Sequence, residues 1–298
     1  MKKAILTTPG NILLEEMSLP DVLNDYDVVL DVSHCGICGT DLKLYKGQGP
    51  FSLPGPAVLG HEIAARVHLV GKKVQFVSPG DRVVVNPLDN AIGLGGLPGA
   101  FAKYIYLPGK MPLFESGQLY KLPVSLSDEL ATLTEPLAVA LHGVKKVLSD
   151  QSVSKEKVFL SGAGPIGLCA LMVFRIAGVQ DIVVAEPNPY RRQLALRMGA
   201  GYAFDPRSED VHTVLSELHG SHKAAFVSGA LPNTNILVEC SGNPVALQTV
   251  TAALGENRKL LVLAAGPGST VDVGALQARG GQLITSIVYR QEFGEAIN

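Results

Sequence analysis

Tryptophan is absent from the 298-residue chain, and aromatic residues together make up only 6% of it. That scarcity argues against stacking platforms for single-stranded nucleic acid. Cysteine is scarce as well. Four in a chain of this length are too few for a disulfide scaffold, so a reducing, soluble, cytoplasmic setting is expected. Charge of neither sign dominates: a formal net charge of −2 leaves no footprint for nucleic acid or for an anionic membrane surface. Long apolar runs are missing too. The longest candidate, 168–174, stops at Arg175 and is far too short to span a bilayer, and the apolar start ending at Leu6 makes a poor secretory signal.

Hydrophobic residues, at 47%, outweigh charged ones, at 17%, so disorder is excluded as the general state and the length allows one or two domains. The first half is β-rich. Short β-branched or aromatic runs at 28–32, 63–70, 74–77, 82–85 and 101–107 are punctuated by Pro-Gly pairs, which predicts a partly closed antiparallel domain. The pattern changes near residue 125. Ser127-Asp128-Glu129 predicts the cap of a helix through 130–141. From Lys157 onward strands (158–161, 182–185, 202–204, 236–239, 260–264, 283–288) alternate with helices (165–177, 190–198, 211–218, 245–254). Such alternation predicts a parallel sheet covered on both faces. The stretch 221–234 reads as a loop. The expected organisation is a domain over 1–125, a second over 126–289, and a short return to the first over 290–298.

Gly162-Ala163-Gly164-Pro165-Ile166-Gly167 fits G-x-G-x-x-G between a strand and a helix, and Glu186 ends the following strand about 20 residues on. Gly162 permits the tight turn, Gly164 a close approach of the backbone to a pyrophosphate, and Gly167 close packing of the helix, whose N-terminal amides face the anion. Glu186 can accept from a ribose hydroxyl and would repel a 2′-phosphate, which favours NAD over NADP; Arg191, close behind, weakens that preference.

Cys35-Gly36-Ile37-Cys38 has no second close pair to make a zinc ribbon and lies outside a βαβ unit, which argues against a redox pair. Cys38, His61 and the carboxylates of Glu62 and Glu135 are proper zinc donors, and three protein ligands with an open position is the catalytic pattern. Spacing alone carries this weakly, because the residues are scattered.

Cys38-Gly39-Thr40-Asp41, Gly60-His61-Glu62 and Glu135-Pro136-Leu137-Ala138, followed by the Gly162–Gly167 turn, resemble the zinc-dependent medium-chain dehydrogenase/reductase family, in particular its sorbitol, butanediol and threonine dehydrogenase-like branch. The resemblance covers nearly the whole chain. It implies a doubly wound Rossmann sheet plus a β-rich GroES-like catalytic domain, C-terminally shortened. It implies one catalytic zinc held by Cys38, His61 and either Glu62 or Glu135, with Asp41 orienting the His61 ring. Thr40 would take the proton of the substrate hydroxyl, the zinc would act as Lewis acid, and hydride would pass between a secondary alcohol or polyol and NAD. Gly162, Gly164, Pro165, Ile166, Gly167, Glu186 and Arg191 would hold the cofactor, and the protein would be a homo-oligomer, dimer or tetramer. The chain departs from the family in three places. The stretch 86–100 has no cysteine, so no structural zinc is expected; Lys43 stands where relatives often relay the proton through His; and only ten residues follow 283–288. The alternatives are a zinc-free NAD(P)H-dependent reductase on the same fold and a non-catalytic NAD-binding homologue.

Overall fold

A computed structural model describes residues 2–20, 23–49, 51–109, 117–148, 153–224 and 228–298. The chain divides into two compact units: Met1–Glu135 with Phe293–Asn298, and Pro136–Glu292. The boundary therefore falls beyond the expected residue 125. The reason lies in Arg82, whose guanidinium donates to the Asp128 carboxylate at 2.6 Å and to the Leu126 carbonyl, holding this segment to the first unit. The expected return at 290–298 divides as well. Arg290 and Glu292 belong to the second unit, while Phe293 is buried in the first against Tyr120, ring centroids 5.4 Å apart.

In the first unit β1 (Lys2–Thr8) and β2 (Asn11–Glu16) form a hairpin turned at Gly10, φ +80°. The sequence pattern does not announce it, because Ile12, Leu13 and Leu14 run consecutively and stay exposed instead of alternating. Next come β3 (Val28–Gly36), α1 (Gly39–Tyr45), β4 (Glu62–Val70), β5 (Arg82–Val85), β6 (Tyr104–Leu107), β7 (Leu119–Lys121) and α2 (Asp128–Ala131). The strands β3 to β7 make an antiparallel sheet in the order β6-β3-β4-β5-β7. Val28 and Leu30, Ile63, Ala65 and Val67, Val83 and Val85, Ile105 and Leu107 point into one core at the period of two that a strand imposes. The run 74–77 is not a strand: Val74 N–H closes a turn onto the Gly71 carbonyl, and Lys73 N–H bonds the Asp25 carbonyl.

The helix expected over 130–141 is two. After α2, Thr132 returns its hydroxyl to the Glu129 carbonyl, and α3 (Thr134–Val147) starts anew, carrying Glu135 in its first turn. The second unit continues with β8 (Lys157–Ser161), α4 (Pro165–Ile176), β9 (Asp181–Ala185), α5 (Pro189–Arg197), β10 (Tyr202–Phe204) and α6 (Val211–His219). Then follow β11 (Ser221–Lys223), β12 (Ala230–Pro232), β13 (Ile236–Glu239), α7 (Pro244–Ala252), β14 (Lys259–Val262), α8 (Val273–Ala278), β15 (Gln282–Thr285) and α9 (Glu292–Glu295), the last entering the first unit. The expected loop at 221–234 contains the antiparallel pair β11–β12, which Gly, Asn and Pro residues disguise in sequence; residues 225–227 of that stretch lie outside the described residues.

The sheet of the second unit is parallel, in the order β10-β9-β8-β13-β14-β15. Alternate residues of each strand face opposite helices. Val158, Leu160, Ile182, Val184, Ile236 and Val238 pack with Ala170 and Phe174 of α4, while Phe159, Val183, Leu237 and Leu260 pack with Leu215 of α6 and Val250 of α7. Both faces are thus buried, which is why these strands read as continuous apolar runs. The order reverses between β8 and β13, and in open α/β sheets ligands bind past the strand ends at such a reversal.

Candidate metal centre and nucleotide-binding turn

Cys38 and His61 reach one place through the ends of two structural elements. Cys38 caps α1: its backbone N–H donates to Asp41 Oδ2 at 2.9 Å, in the first turn of that helix. His61 stands immediately before β4, and Glu62 is the strand's first residue. One ligand atom each from Cys38, His61 and Glu62 lies within 4.8 Å of the others. Thiol, imidazole and carboxylate at that separation are the donor set of a catalytic zinc site. Glu135, in the first turn of α3, is buried close enough to influence His61 electrostatically.

The charge balance of this pocket asks for a cation. Asp41, Glu62 and Glu135 are three buried carboxylates around one buried imidazole, and unpaired buried charge costs several kcal/mol per ion. The protonation equilibria register that strain. Burial pushes the Glu135 carboxyl up to about 7, with His61 opposing the rise and Glu62 and Asp41 reinforcing it. Burial likewise raises Glu62, against the pull of His61. Burial works against a charged His61, yet Asp41 and Cys38 beside the ring push it up to about 10. Cys35 is different: burial, with Asp41 and Glu62, drives its thiol up to about 12, and its Sγ–H donates to the Gly36 carbonyl. Residues and charge both fit a divalent metal here.

Asp41 ties the pocket together. Its Oδ2 accepts from the Cys38 backbone, while its Oδ1 accepts from Gly60 N–H at 3.4 Å and lies 3.6 Å from His61 Nδ1. Thr40 and Lys43, the other α1 candidates, are half-buried. Sequence reasoning missed Gly36. It pairs with Glu62 across β3 and β4, and a Cβ there would sit 1.9 Å from Glu62 Oε2. The missing side chain is the space that the Glu62 carboxylate occupies. Only the register of two distant strands reveals this.

In the second unit the glycine-rich turn follows β8. Gly162 takes φ +98°, which only glycine adopts freely. A Cβ on Gly167 would lie 2.0 Å from the Gly162 carbonyl oxygen, so α4 packs against the turn only without one. Gly164 caps α4 with open space around it, and Pro165 and Ile166 begin the helix, whose first-turn amides have no partner within the helix. Glu186 is buried, and both of its carboxylate oxygens are engaged: Oε2 accepts from Ala163 N–H at 2.8 Å and Oε1 from Asn188 N–H at 2.9 Å. It therefore fixes the glycine turn itself. Arg191 is exposed on α5, its N–H bonded to the Asn188 side chain, whereas Arg192 is occupied by the Glu186 and Pro187 carbonyls. A second acid escaped the sequence reading. Buried Glu239, ending β13, accepts from Ser241 N–H at 2.6 Å and Gly242 N–H at 2.9 Å. It thereby holds Ser241 against Gly162, 3.1 Å from where a Cβ would stand.

An antiparallel unit bearing a zinc-type donor cluster and a parallel α/β unit with a glycine-rich turn at its strand reversal define the class of nucleotide-dependent metallo-dehydrogenases. Residues 24–116 match the alcohol dehydrogenase GroES-like domain and residues 165–298 the zinc-binding dehydrogenase family. The L-threonine 3-dehydrogenase of Anaeromyxobacter sp. (strain K) is 31% identical over 296 residues, 92% of this chain and 79% of that protein. The L-threonine 3-dehydrogenase of Aeromonas hydrophila subsp. hydrophila is 30% identical over 305 residues, 95% and 82% of the two chains. Among solved structures, 2R,3R-butanediol dehydrogenase from Bacillus subtilis superposes with a TM-score of 0.82 at 28% identity, covering 99% of this chain and 86% of that one. A Sinorhizobium meliloti 1021 protein, described as a zinc-binding dehydrogenase and bound to NADP, superposes with a TM-score of 0.80 at 25% identity and the same coverage. The chain belongs to the zinc-binding alcohol dehydrogenases of the medium-chain dehydrogenase/reductase family. Among the described residues no helix is long and apolar enough to cross a membrane.

Proposed function

We propose that the protein interconverts a secondary alcohol or polyol and its ketone, using one zinc ion and NAD. The observation that carries this reading is the convergence of Cys38, His61 and Glu62 within 4.8 Å in a pocket of excess negative charge. In this proposal those three hold the metal, and Glu135 is the nearby carboxylate that can exchange with Glu62. A bound zinc supplies Lewis acidity toward the substrate oxygen, and the nicotinamide supplies the hydride acceptor. The chain's own work is positional. Asp41 fixes the face that His61 presents, Thr40 receives the hydroxyl proton, and half-buried Lys43 is the candidate for passing it outward.

The first unit is proposed as the catalytic domain and the second as the NAD domain. The turn Gly162–Gly167 with α4 would receive the pyrophosphate and Glu186 the ribose, its carboxylate disfavouring a 2′-phosphate. One observation favours NADP instead: Arg191 is exposed next to the Asn188 cap. Self-association is proposed through β15, which ends the parallel sheet and carries half-exposed Leu283, with exposed Ile287 just beyond. The test is nicotinamide reduction across a panel of diols, polyols and threonine, with NAD and NADP in parallel and zinc determined on the same preparation. Turnover with NAD and about one zinc per chain supports the reading; turnover by metal-free protein overturns it.

A further inference from the structure

We propose that Gly93 and Gly99, within the cysteine-free stretch 86–100, are positioning residues for the metal site: they let this stretch close on the backbone of Gly60 and so fix the direction in which His61 projects. The inference rests on the metal reading above.

Gly60 immediately precedes His61 and takes φ +93°, so its peptide planes aim the histidine. Two sides hold that backbone. From one, Asp41 accepts the Gly60 N–H. From the other, three successive amides donate to three successive carbonyls: Gly99 N–H to Val58 at 2.9 Å, Phe101 N–H to Leu59 at 3.0 Å and Ala100 N–H to Gly60 at 2.9 Å. The approach is this close only because Gly93 and Gly99 carry no side chain. A Cβ on Gly93 would lie 2.2 Å from the Gly60 carbonyl oxygen, and a Cβ on Gly99 would lie 2.4 Å from the same oxygen and 2.5 Å from that of Leu59. The obstructing atoms are backbone, for Gly99 including the Gly93 Cα at 2.4 Å, so relief displaces residues 58–60 or the stretch packed on them, and His61 loses its fixed support either way. The stretch itself is anchored, because Ile92 is fully buried and Ala100 nearly so. The three protein ligands of a metal site must be held to a few tenths of an ångström, and backbone this close to a ligand acts as its support.

Gly99 provides the cleaner variant, because its φ is not in the left-handed region, whereas Gly93 has φ +68° and would add backbone strain. Gly71 provides a matched control in the same unit. It is buried, its φ is likewise not left-handed, and its Cβ would strike the Asn24 carbonyl oxygen at 2.1 Å. It lies past the far end of β4 from Glu62, about 30 Å along the strand direction. Both substitutions should lower thermal stability. Only Gly99→Ala should alter the visible absorption of the cobalt(II)-loaded protein and speed release of the metal to a chelator, by at least about tenfold. A Gly99→Ala protein with the wild-type cobalt spectrum and release rate, or a Gly71→Ala protein that changes both equally, overturns the proposal.

Hydrogen exchange on the unaltered protein gives a second reading that does not depend on any variant folding. Loading zinc should slow exchange of the Ala100 and Phe101 amides by about tenfold while leaving Gly71 unchanged. Unchanged exchange at Ala100 and Phe101 with zinc bound overturns the clamp. Failure of the wild-type protein to take up cobalt or zinc overturns the metal reading itself, and the inference with it.

Discussion

Gly36 and Glu62 face each other across β3 and β4 so closely that the glycine's missing side chain is where the glutamate's carboxylate lies. Gly36→Ala should therefore displace Glu62 while leaving Cys38 and His61 in place. If Glu62 is the third metal ligand, zinc affinity falls by about 10–100-fold, read by competition with a chromogenic chelator. Wild-type affinity in this variant would instead assign the third ligand to Glu135.

Asp41 holds the Cys38 amide and sets a negative charge beside the His61 ring, and that charge is the component that an asparagine lacks. Asp41→Asn retains an acceptor for the Cys38 amide but removes the negative partner of the ring nitrogen 3.6 Å away. Zinc affinity should drop by about 10–100-fold, with little change in NAD binding measured by fluorescence titration.

Protons and metal compete for the same pocket. In the metal-free protein His61 is raised from 6.5 to about 10 and Glu135 from 4.5 to about 7. Between the lower of these values and the highest, the folded chain binds more protons than the unfolded one, so its stability falls as pH rises through that window. Zinc takes the protons' place. The increase in Tm on adding zinc should grow from about pH 5.5 to about pH 8, as followed by thermal melts. A zinc-induced increase that shrinks over this range would contradict the assignment.

Glu186 holds the glycine turn and is proposed to meet the ribose as well, which separates its conservative and drastic substitutions. Glu186→Gln keeps an acceptor for Ala163 or Asn188 but loses the charge, so the ratio of kcat/KM for NAD over NADP should fall about tenfold. Glu186→Ala releases the glycine turn, and both cofactors should bind more weakly. Steady-state kinetics with the two cofactors distinguish these outcomes.

Side-chain chemistry was legible wherever it is written locally. The Gly162–Gly167 turn stands out by its place between β8 and α4, whereas Cys38, His61, Glu62 and Glu135 are scattered donor types that only the motifs around them mark as candidates. The parallel strands were legible because both of their faces are buried, leaving unbroken runs such as Val158 to Leu160. Features that depend on distant pairing were hidden. The crowding at Gly36 comes from the Glu62 side chain and that at Gly93 and Gly99 from backbone, both reaching in from elsewhere in the chain, and no local pattern encodes either. The β1–β2 hairpin escaped because β2 is exposed throughout, and the run 74–77 misled because its valines belong to a turn. The break between α2 and α3 depends on Thr132 bonding back to Glu129, a competition that apolar periodicity does not register.

The central claim is that Cys38 holds a metal on which turnover depends. The most direct measurement is zinc content together with NADH formation from a responsive alcohol in wild type and Cys38→Ala. The account predicts about one zinc per wild-type chain, and in the variant no zinc, no NADH formation and NAD binding retained. A zinc-free Cys38→Ala protein that turns over at the wild-type rate would contradict it.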